Sequence, residues 1–301
     1  MKLFLIPLAL SGIFSIGLAM GPSIEEFPLI DPAMVKPGAV EEIVYRNTNL
    51  DDRGFNRAAR NVCVPTLTVF HPAGGINGGA AVVVCPGGGY QYVTIDREGA
   101  VLGRYFSARG ITVAVLKYRL PNPAAGDRGL PYPQQDAIAA MALMRSHAKE
   151  WGIGAKRIGM LGASAGGHLA GSLGILEAVP VESRPDFVAL LYPVVCMDGP
   201  YVNAGSRDAL LGPSASEARR EAFSLEKQIR PGLPPFFVAH ANDDRAVPYQ
   251  NSELLVAALH ARHVPAELLL VETGGHGFGL GRDAESARWT KAFLSWLNRL
   301  P

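Results

Sequence analysis

Short apolar segments alternate with longer amphipathic segments along most of the chain. The apolar segments span residues 64–70, 79–85, 111–118, 157–161, 187–195, 235–240 and 266–272. The amphipathic segments span residues 97–109, 133–151, 165–177, 248–263 and 283–299. Strands that are apolar nearly throughout are buried on both faces, and their alternation with helices indicates parallel strands joined by crossovers. The pattern therefore predicts a three-layer α/β/α sandwich around a mostly parallel sheet.

Two connections depart from that alternation. Residues 71–78 form a short loop, so the apolar segments on either side are expected to pair antiparallel at one edge of the sheet. Residues 196–234 contain no strand pattern and connect two strands of the parallel sheet. A long connection at the strand ends is commonly a cap or a substrate-binding loop. We expect a main domain at residues 61–301, with residues 196–234 as its short cap segment.

The first residues of the chain have the composition of an export signal. Lys2 precedes an uncharged apolar run that ends at Ala19, with a second small residue at Gly17. The run is near the lower length limit for a membrane span, so we predict a signal peptide at residues 1–19 rather than a membrane anchor. Export would make the protein secreted or periplasmic, with no stable membrane association. Residues 20–60 are predicted to form an extended arm and a first edge segment.

Charge and cysteine content narrow the classes of function. The chain has 28 Lys and Arg against 27 Asp and Glu, a formal net charge of +1, and no basic cluster. This balance gives no electrostatic footprint for nucleic acid. Cys63, Cys85 and Cys196 are odd in number and show no C-x-x-C spacing. We therefore expect free thiols, or one disulfide at most, and no structural zinc site.

A serine lies at the junction of a predicted strand and a predicted helix. Gly162-Ala163-Ser164-Ala165-Gly166 follows the apolar segment that ends at residue 161 and precedes the helical segment. The pattern G-x-S-x-G in this context presents a serine hydroxyl on a sharp turn above the sheet. Glycines at 162 and 166 would avoid Cβ clashes where strand and helix approach closely. A glycine-rich packing turn without chemistry is the alternative.

A serine nucleophile needs a base and an acid, and both follow Ser164 in the order that this pattern requires. Asp244 lies on the loop after segment 235–240, with Asp243 as its immediate rival, and His276 lies on the glycine-rich loop after segment 266–272. Both loops leave the sheet at the same edge as the serine. The other histidines are expected to have structural or solvated positions, and they are His71, His147, His168, His240, His260 and His263.

The glycine run Gly87 to Gly89 follows segment 79–85 directly. Stabilising the oxyanion of a tetrahedral intermediate requires preorganised N–H donors. The amides of Gly88 and Gly89, with that of Ala165 directly after the serine, are the candidates. Three tyrosines near the strand ends either line the pocket or pack beneath it, and they are Tyr90, Tyr92 and Tyr118.

Taken together, these motifs resemble the α/β-hydrolase superfamily. They are PGGGY, GASAGGHLA, HANDDRAVP and GGHGF, and the resemblance covers roughly residues 60–300. Within it the chain resembles the acetyl-xylan-esterase-like and feruloyl-esterase-like carbohydrate esterases of the esterase/lipase branch. The family pattern H-G-x-x-D-x-x-V-P carries its acid at the fifth position, which favours Asp244 over Asp243. Pro86 stands where related lipases have the histidine of H-G-G-G, which argues against the hormone-sensitive-lipase subgroup.

The resemblance implies a serine esterase without a cofactor. Its expected substrates are short-chain acyl esters, above all O-acetyl groups of xylan or related polysaccharides. The cap segment is polar rather than a long apolar helix, which disfavours a lid that works at a lipid interface. The alternatives are a general short-chain carboxylesterase, a feruloyl esterase, an arylformamidase, a serine peptidase, and a binding module on an inactive hydrolase scaffold.

Overall fold

The computed structural model describes residues 23–36, 38–45, 56–73, 78–123 and 129–301. The strands are β1 (Ile24–Pro28), β2 (Glu42–Tyr45), β3 (Arg57–Arg60), β4 (Thr66–Phe70), β5 (Ala80–Cys85), β6 (Ile111–Lys117), β7 (Ile158–Ala163), β8 (Val188–Leu191), β9 (Phe236–Ala241) and β10 (Ala266–Val271). The α-helices are α1 (Val101–Ser107), α2 (Tyr132–His147), α3 (Ala165–Ile175), α4 (Ala204–Leu211), α5 (Glu217–Phe223), α6 (Gln250–Ala261) and α7 (Arg288–Arg299). The predicted signal peptide lies outside the described residues.

The main sheet has eight strands among the described residues, in the order β1-β4-β6-β5-β7-β8-β9-β10. From β6 to β10 all neighbouring strands are parallel. Every residue of β5, β7, β8 and β9 is buried, as expected of strands covered on both faces. The predicted fold class, a mostly parallel sheet within an α/β protein, is confirmed.

The prediction that segments 64–70 and 79–85 pair with each other is wrong. β4 instead pairs antiparallel with β6 on one side and with β1 on the other. β5 lies between β6 and β7, and both neighbours are parallel to it. The all-apolar β5 thereby takes a central position, while β4 and β1 cover the open edge of β6.

The N-terminal arm contains more regular structure than its proline content suggested. β1 extends the main sheet at its edge, and β2 pairs with β3 in a separate two-stranded sheet. The lack of periodicity in this part of the sequence gave no signal of the strand pairing. β1 is exposed at most of its positions, which is why its sequence carries no apolar alternation.

Two apolar cores lie on opposite faces of the sheet and give the predicted three layers. One core joins the sheet to residues of α2, α3 and α6. The other joins it to α1 and α7, with Phe106, Trp289, Phe293 and Trp296 among its largest side chains. Cys85 and Cys196 are buried free thiols, whereas the free thiol Cys63 is half-buried. No helix in the described part of the chain is long and apolar enough to cross a membrane.

Candidate active site

Ser164 occupies a strained turn between β7 and α3. Its φ of +56° and ψ of −122° lie in a region that residues other than glycine rarely adopt. A Cβ on Gly162 would overlap the carbonyl oxygen of Gly166, and one on Gly166 would overlap the carbonyl oxygen of Cys85. Glycine is therefore required on both sides of the serine because backbone packs directly against backbone. The expected reason for these two glycines is confirmed.

The structure brings Ser164, His276 and Asp244 into one hydrogen-bonded line. Ser164 Oγ lies 2.8 Å from His276 Nε2, and His276 Nδ1 lies 2.7 Å from Asp244 Oδ2. A carboxylate can only accept, so Nδ1 carries the proton of the neutral imidazole and Nε2 accepts from the serine hydroxyl. Asp244 follows β9 and His276 follows β10, so each lies at the carboxyl end of a parallel strand. This is the protonation state that a general base for the serine requires.

Asp244 is buried and fully hydrogen-bonded. Its Oδ1 accepts the amide protons of Ala246 at 2.9 Å and Val247 at 3.0 Å, and its Oδ2 also lies 3.2 Å from His240 Nε2. Burial raises the pKa of Asp244, but hydrogen bonds from His240 and His276 and the charge of His276 outweigh it and hold the pKa well below its usual range. The carboxylate is therefore ionised beside the imidazole at neutral pH.

Asp243, the rival acid, faces a different partner. It is exposed, and its Oδ1 accepts the amide proton of Gly275 at 2.7 Å. This contact fixes the backbone next to His276 without reaching the imidazole. The geometry thus separates two adjacent carboxylates, with Asp244 on the imidazole and Asp243 on the loop that carries it.

His168 and His240, the histidines nearest to the site besides His276, have other partners. His168 is buried, with Nδ1 2.8 Å from Tyr90 Oη and Nε2 2.8 Å from the carbonyl oxygen of Phe223. Burial lowers the pKa of His168 to about 4, although the bond to Phe223 raises it. His240 lies beneath Asp244, with Nδ1 2.7 Å from Ser252 Oγ. Neither histidine hydrogen-bonds to Ser164, and His240 also contacts the carboxylate of Asp244.

The glycine loop after β5, Gly87 to Gly89, borders the pocket that contains the serine. Gly88 has a φ of +133° and Gly89 a φ of +63°, and both line the pocket that contains Ser164 and His276. The amide of Gly87 donates to Glu98 Oε2 at 2.8 Å. Within the described residues, the amides of Gly88, Gly89 and Ala165 donate to no protein acceptor. The predicted oxyanion donors are thus open to a ligand, and their role stays a prediction.

The pocket above Ser164 is small, and most of its described lining residues are polar or glycine. Its volume is about 240 Å³. It lies between the glycine loop, the loop after β9 that carries Asp244 (the acid loop) and the beginning of the cap segment. Its other described lining residues include Gln91, Tyr92, Thr94, Asn203, Ser206 and Ala246. Of the three tyrosines whose position the sequence left open, Tyr92 lines the pocket. Tyr90 and Tyr118 are buried instead, with Tyr118 Oη donating to the carbonyl oxygen of Pro86 at 2.8 Å.

Two site residues had no signal in the sequence. Asn203 Nδ2 donates to the carbonyl oxygen of Ala246 at 2.9 Å, and its Oδ1 accepts from the amide of Ser206 at 2.9 Å, which ties the cap segment to the acid loop. Glu98 is buried and lines the same pocket. Neither Asn203 nor Glu98 belongs to a sequence motif, and no pattern of proline or glycine points to either position. In the described part of the chain, no cluster of three or more His, Cys, Asp or Glu is placed to hold a metal ion.

Comparison with known proteins supplies the family. Residues 82–280 match the model of a family described as having the alpha/beta hydrolase fold. An acetylxylan esterase from Xylanibacter ruminicola is 34% identical over 67% of this chain and 42% of its own length. An endo-1,4-beta-xylanase B from Butyrivibrio fibrisolvens is 29% identical over 82% of this chain and 40% of its own length. The chain thus spans about two fifths of these curated relatives.

A solved structure resembles nearly the whole chain. It is an acetyl ester-xyloside bifunctional hydrolase from Caldicellulosiruptor lactoaceticus, with a TM-score of 0.72 and 30% sequence identity. The match covers 94% of this chain and 97% of that protein. The likeness therefore includes the segment between β8 and β9 as well as the sheet.

Proposed function

This chain belongs to the alpha/beta hydrolase fold family, and we propose that it hydrolyses carboxylic esters through an acyl intermediate on Ser164. The observation that carries the proposal is the hydrogen-bonded line from Ser164 Oγ through His276 to Asp244, with spacings of 2.8 Å and 2.7 Å. A strained serine turn next to three unused backbone amides supports the same chemistry.

The reaction follows from the protonation states. Ser164 Oγ attacks the ester carbonyl while its proton passes to His276 Nε2. The ionised Asp244 stabilises the imidazolium that forms and keeps its tautomer fixed. The imidazolium then gives its proton to the alkoxide leaving group, and the acyl group stays on Ser164. A water molecule, deprotonated by the same imidazole, attacks the acyl-enzyme and releases the carboxylic acid.

The negative charge that develops on the carbonyl oxygen needs donors at its position. The amides of Ala165, Gly88 and Gly89 are the proposed donors because none of them has a protein acceptor in the described residues, and because Gly88 and Gly89 line the pocket that contains Ser164. One such donor is worth about 3 kcal/mol of barrier. The α3 N-terminus adds its partial positive charge at the same place.

The substrate proposal rests on the pocket and on the relatives. A volume of about 240 Å³ without a large aliphatic side chain among its described lining residues suits a short acyl group rather than a fatty acyl chain. Amide and hydroxyl groups at the rim suit a polar alcohol such as a sugar. With relatives named for acetyl esters and xylan, we propose O-acetyl groups of xylan or a related polysaccharide as the substrate.

Glycosidic bond cleavage, which the names of two similar proteins suggest, has less support. That reaction generally uses two carboxyl groups that flank the bond. Among the described lining residues of this pocket, Glu98 is the only one with a carboxyl group, and both of its oxygens already accept hydrogen bonds from the protein. The pocket therefore favours ester hydrolysis.

The test pairs two serines. Ser164→Ala should lower ester hydrolysis at least about 10⁴-fold, because removing the nucleophile leaves only the contribution of binding and oxyanion donors. Ser172→Ala, a buried serine in α3 whose hydroxyl donates to the carbonyl oxygen of His168, should keep near-normal activity. Equal activity of the two variants would defeat the serine mechanism.

A second assay tests the substrate. Acetate release from acetylated xylan is measured beside a series of p-nitrophenyl esters of increasing acyl length. We expect acetate release and a preference for acetyl over octanoyl esters. Long-chain preference without acetate release would contradict the carbohydrate-esterase proposal and leave the serine mechanism intact.

The predicted export signal is part of this proposal. Cleavage after residue 19 would place the enzyme in the periplasm or outside the cell, where polysaccharide is met. Mass spectrometry of the N-terminus of the exported protein tests it, and a mature protein that still begins at Met1 would contradict it.

A further inference from the structure

Glu98 is a buried carboxylate that the proposed reaction does not use. It lies in a single π-helical turn, Asp96–Ala100, that leads into α1, and it is 5% exposed. In the described part of the chain no cationic side chain forms an ion pair with it. Burying a carboxylate without a cation is costly unless hydrogen bonds satisfy it. The π-helical turn is itself a feature that often accompanies functional sites.

One oxygen of Glu98 holds the glycine loop. Oε2 accepts the amide proton of Gly87 at 2.8 Å and lies 2.8 Å from Thr94 Oγ1. Gly87 directly precedes the two glycines whose amides are the proposed oxyanion donors. A Cβ on Gly87 would lie 2.6 Å from Glu98 Oε2 and 2.9 Å from Ser164 Cβ. The carboxylate therefore sits under the loop at the point where the loop passes the serine.

The other oxygen reaches the histidine loop through Tyr192. Oε1 accepts from Tyr192 Oη at 2.9 Å, and Tyr192 Oη in turn accepts the amide proton of Gly279 at 3.1 Å. The Tyr192 ring lies edge-on to the imidazole of His276, with the ring centroids 5.1 Å apart. Burial, and then the charge of Glu98, raise the pKa of Tyr192 well above its usual value. The hydroxyl therefore stays a donor to Glu98 throughout the working pH range.

We propose that Glu98 is a positioning residue for the glycine loop and for the histidine loop, which follows β10 and carries His276. It fixes the two loops at the correct distance from each other around Ser164. The inference rests on the proposed ester hydrolysis and extends it to a residue outside the Ser-His-Asp line. Glu98 acts through Gly87 on the donors and through Tyr192 on the base. A carboxylate suits this position because each of its oxygens accepts, so the side chain can receive protons from both loops.

Glu98→Gln breaks this arrangement with little change of shape. The amide has one accepting oxygen and one donating nitrogen, so it cannot accept from Gly87 and Tyr192 together. We expect kcat for p-nitrophenyl acetate to fall roughly 10- to 100-fold, because small displacements of catalytic groups have effects of this size. KM should change by less than about threefold, since the pocket walls stay in place. Active sites are counted with a fluorophosphonate probe, so that misfolded protein does not enter kcat.

Asp96→Asn is the matched control. Asp96 is buried on the same π-helical turn, but it accepts from Arg57 and lines a different pocket, which does not contain Ser164 or His276. We expect both variants to lose thermal stability and only Glu98→Gln to lose kcat. A loss of melting temperature in both with kcat unchanged in both would reduce Glu98 to a structural residue and overturn the inference.

A double-mutant cycle tests the route through Tyr192. Tyr192→Phe removes the hydroxyl that links Glu98 to Gly279, so its effect on kcat should overlap with that of Glu98→Gln. We expect the double variant to lose clearly less than the product of the two single losses, and independent effects would contradict this route. An inactive wild-type protein would overturn the proposed function itself, whereas an active wild type that tolerates Glu98→Gln overturns this inference alone.

Discussion

The nucleophile side of the site and its acid–base side are held in place by different interactions. On the nucleophile side, Gly162 and Gly166 let β7, β5 and α3 meet backbone to backbone, so Ser164 is fixed by the exclusion of side chains. On the acid–base side, loops after β9 and β10 are held by hydrogen bonds, from Gly275 to Asp243 and from Arg282 to the carbonyl oxygen of His276.

Because of this difference, substitutions on the two sides should affect different properties, namely stability on one side and rate on the other. Backbone segments in close contact leave no space for another atom. An added methyl group on the nucleophile side should therefore strongly destabilise the folded protein. A loop held by hydrogen bonds can lose one of them and keep its conformation. Substitutions on the acid–base side should therefore lower the reaction rate more than the stability. Single substitutions on each side test that distinction.

The largest effect is expected from Gly162→Ala. Its Cβ would overlap the carbonyl oxygen of Gly166 and lie 2.7 Å from Ala170 Cβ, and neither atom belongs to a flexible side chain. We expect a loss above about 4 kcal/mol, which is comparable with the whole stability of a domain. Gly205→Ala is the control, because its Cβ would meet nothing nearer than 3.7 Å. A normal urea midpoint for Gly162→Ala would refute the steric account of the nucleophile side.

The next effect should appear in rate rather than in folding. Asp244→Asn changes the hydrogen-bonding and charge of the group beside His276, and kcat should fall about 10⁴-fold, as when the orienting acid of such a site is neutralised. Asp243→Asn leaves a side chain that can still accept from Gly275, so kcat should change less than about tenfold. Steady-state kinetics of the two variants decide between the acids, and a larger loss for Asp243→Asn would reverse the assignment.

A smaller effect concerns His168, the titratable group packed behind the nucleophile side. Burial lowers its pKa in the folded protein to about 4, from the usual value of 6.5 for an exposed histidine. Below pH 6.5 the unfolded chain therefore takes up a proton that the folded chain refuses. The contribution of His168 to stability is present above pH 6.5 and is lost as the pH falls towards 4, by about 3 kcal/mol in total.

Urea unfolding of the wild type and of His168→Gln at pH 7.5 and pH 4.5 measures this contribution. Asp244, whose pKa is held well below its usual range, stays ionised over that interval and does not contribute. We expect the wild type to lose about 2 kcal/mol more than the variant on acidification. Parallel losses would show that His168 titrates normally and is less enclosed than its contacts indicate.

The sequence could predict what strand order and motif spacing determine. Apolar segments located the central strands, and Ser164, Asp244 and His276 could be selected because each follows such a segment at one edge of the sheet. The glycines around Ser164 were interpretable for the same reason, since close backbone approach demands glycine at fixed positions.

Other features depend on contacts that no local pattern encodes. β4 pairs with the edge of β6, which is distant from it in sequence. The prediction from the length of the loop after β4 was therefore wrong. Tyr90 and Tyr118 turn into the core because His168 and Pro86 offer hydrogen-bond partners there. Glu98 falls within the predicted helical segment 97–109, and only the fold shows that it contacts the glycine loop directly and the histidine loop through Tyr192.

The site at which a fluorophosphonate probe modifies the protein tests the role of Ser164 as the nucleophile directly. The intact protein is labelled at pH 7.5, digested and analysed by mass spectrometry. We expect one phosphonyl group per chain, located on Ser164, with labelling abolished in Ser164→Ala and strongly slowed in Asp244→Asn. Labelling at another residue, or no labelling of the folded wild type, would contradict a serine hydrolase built on this site.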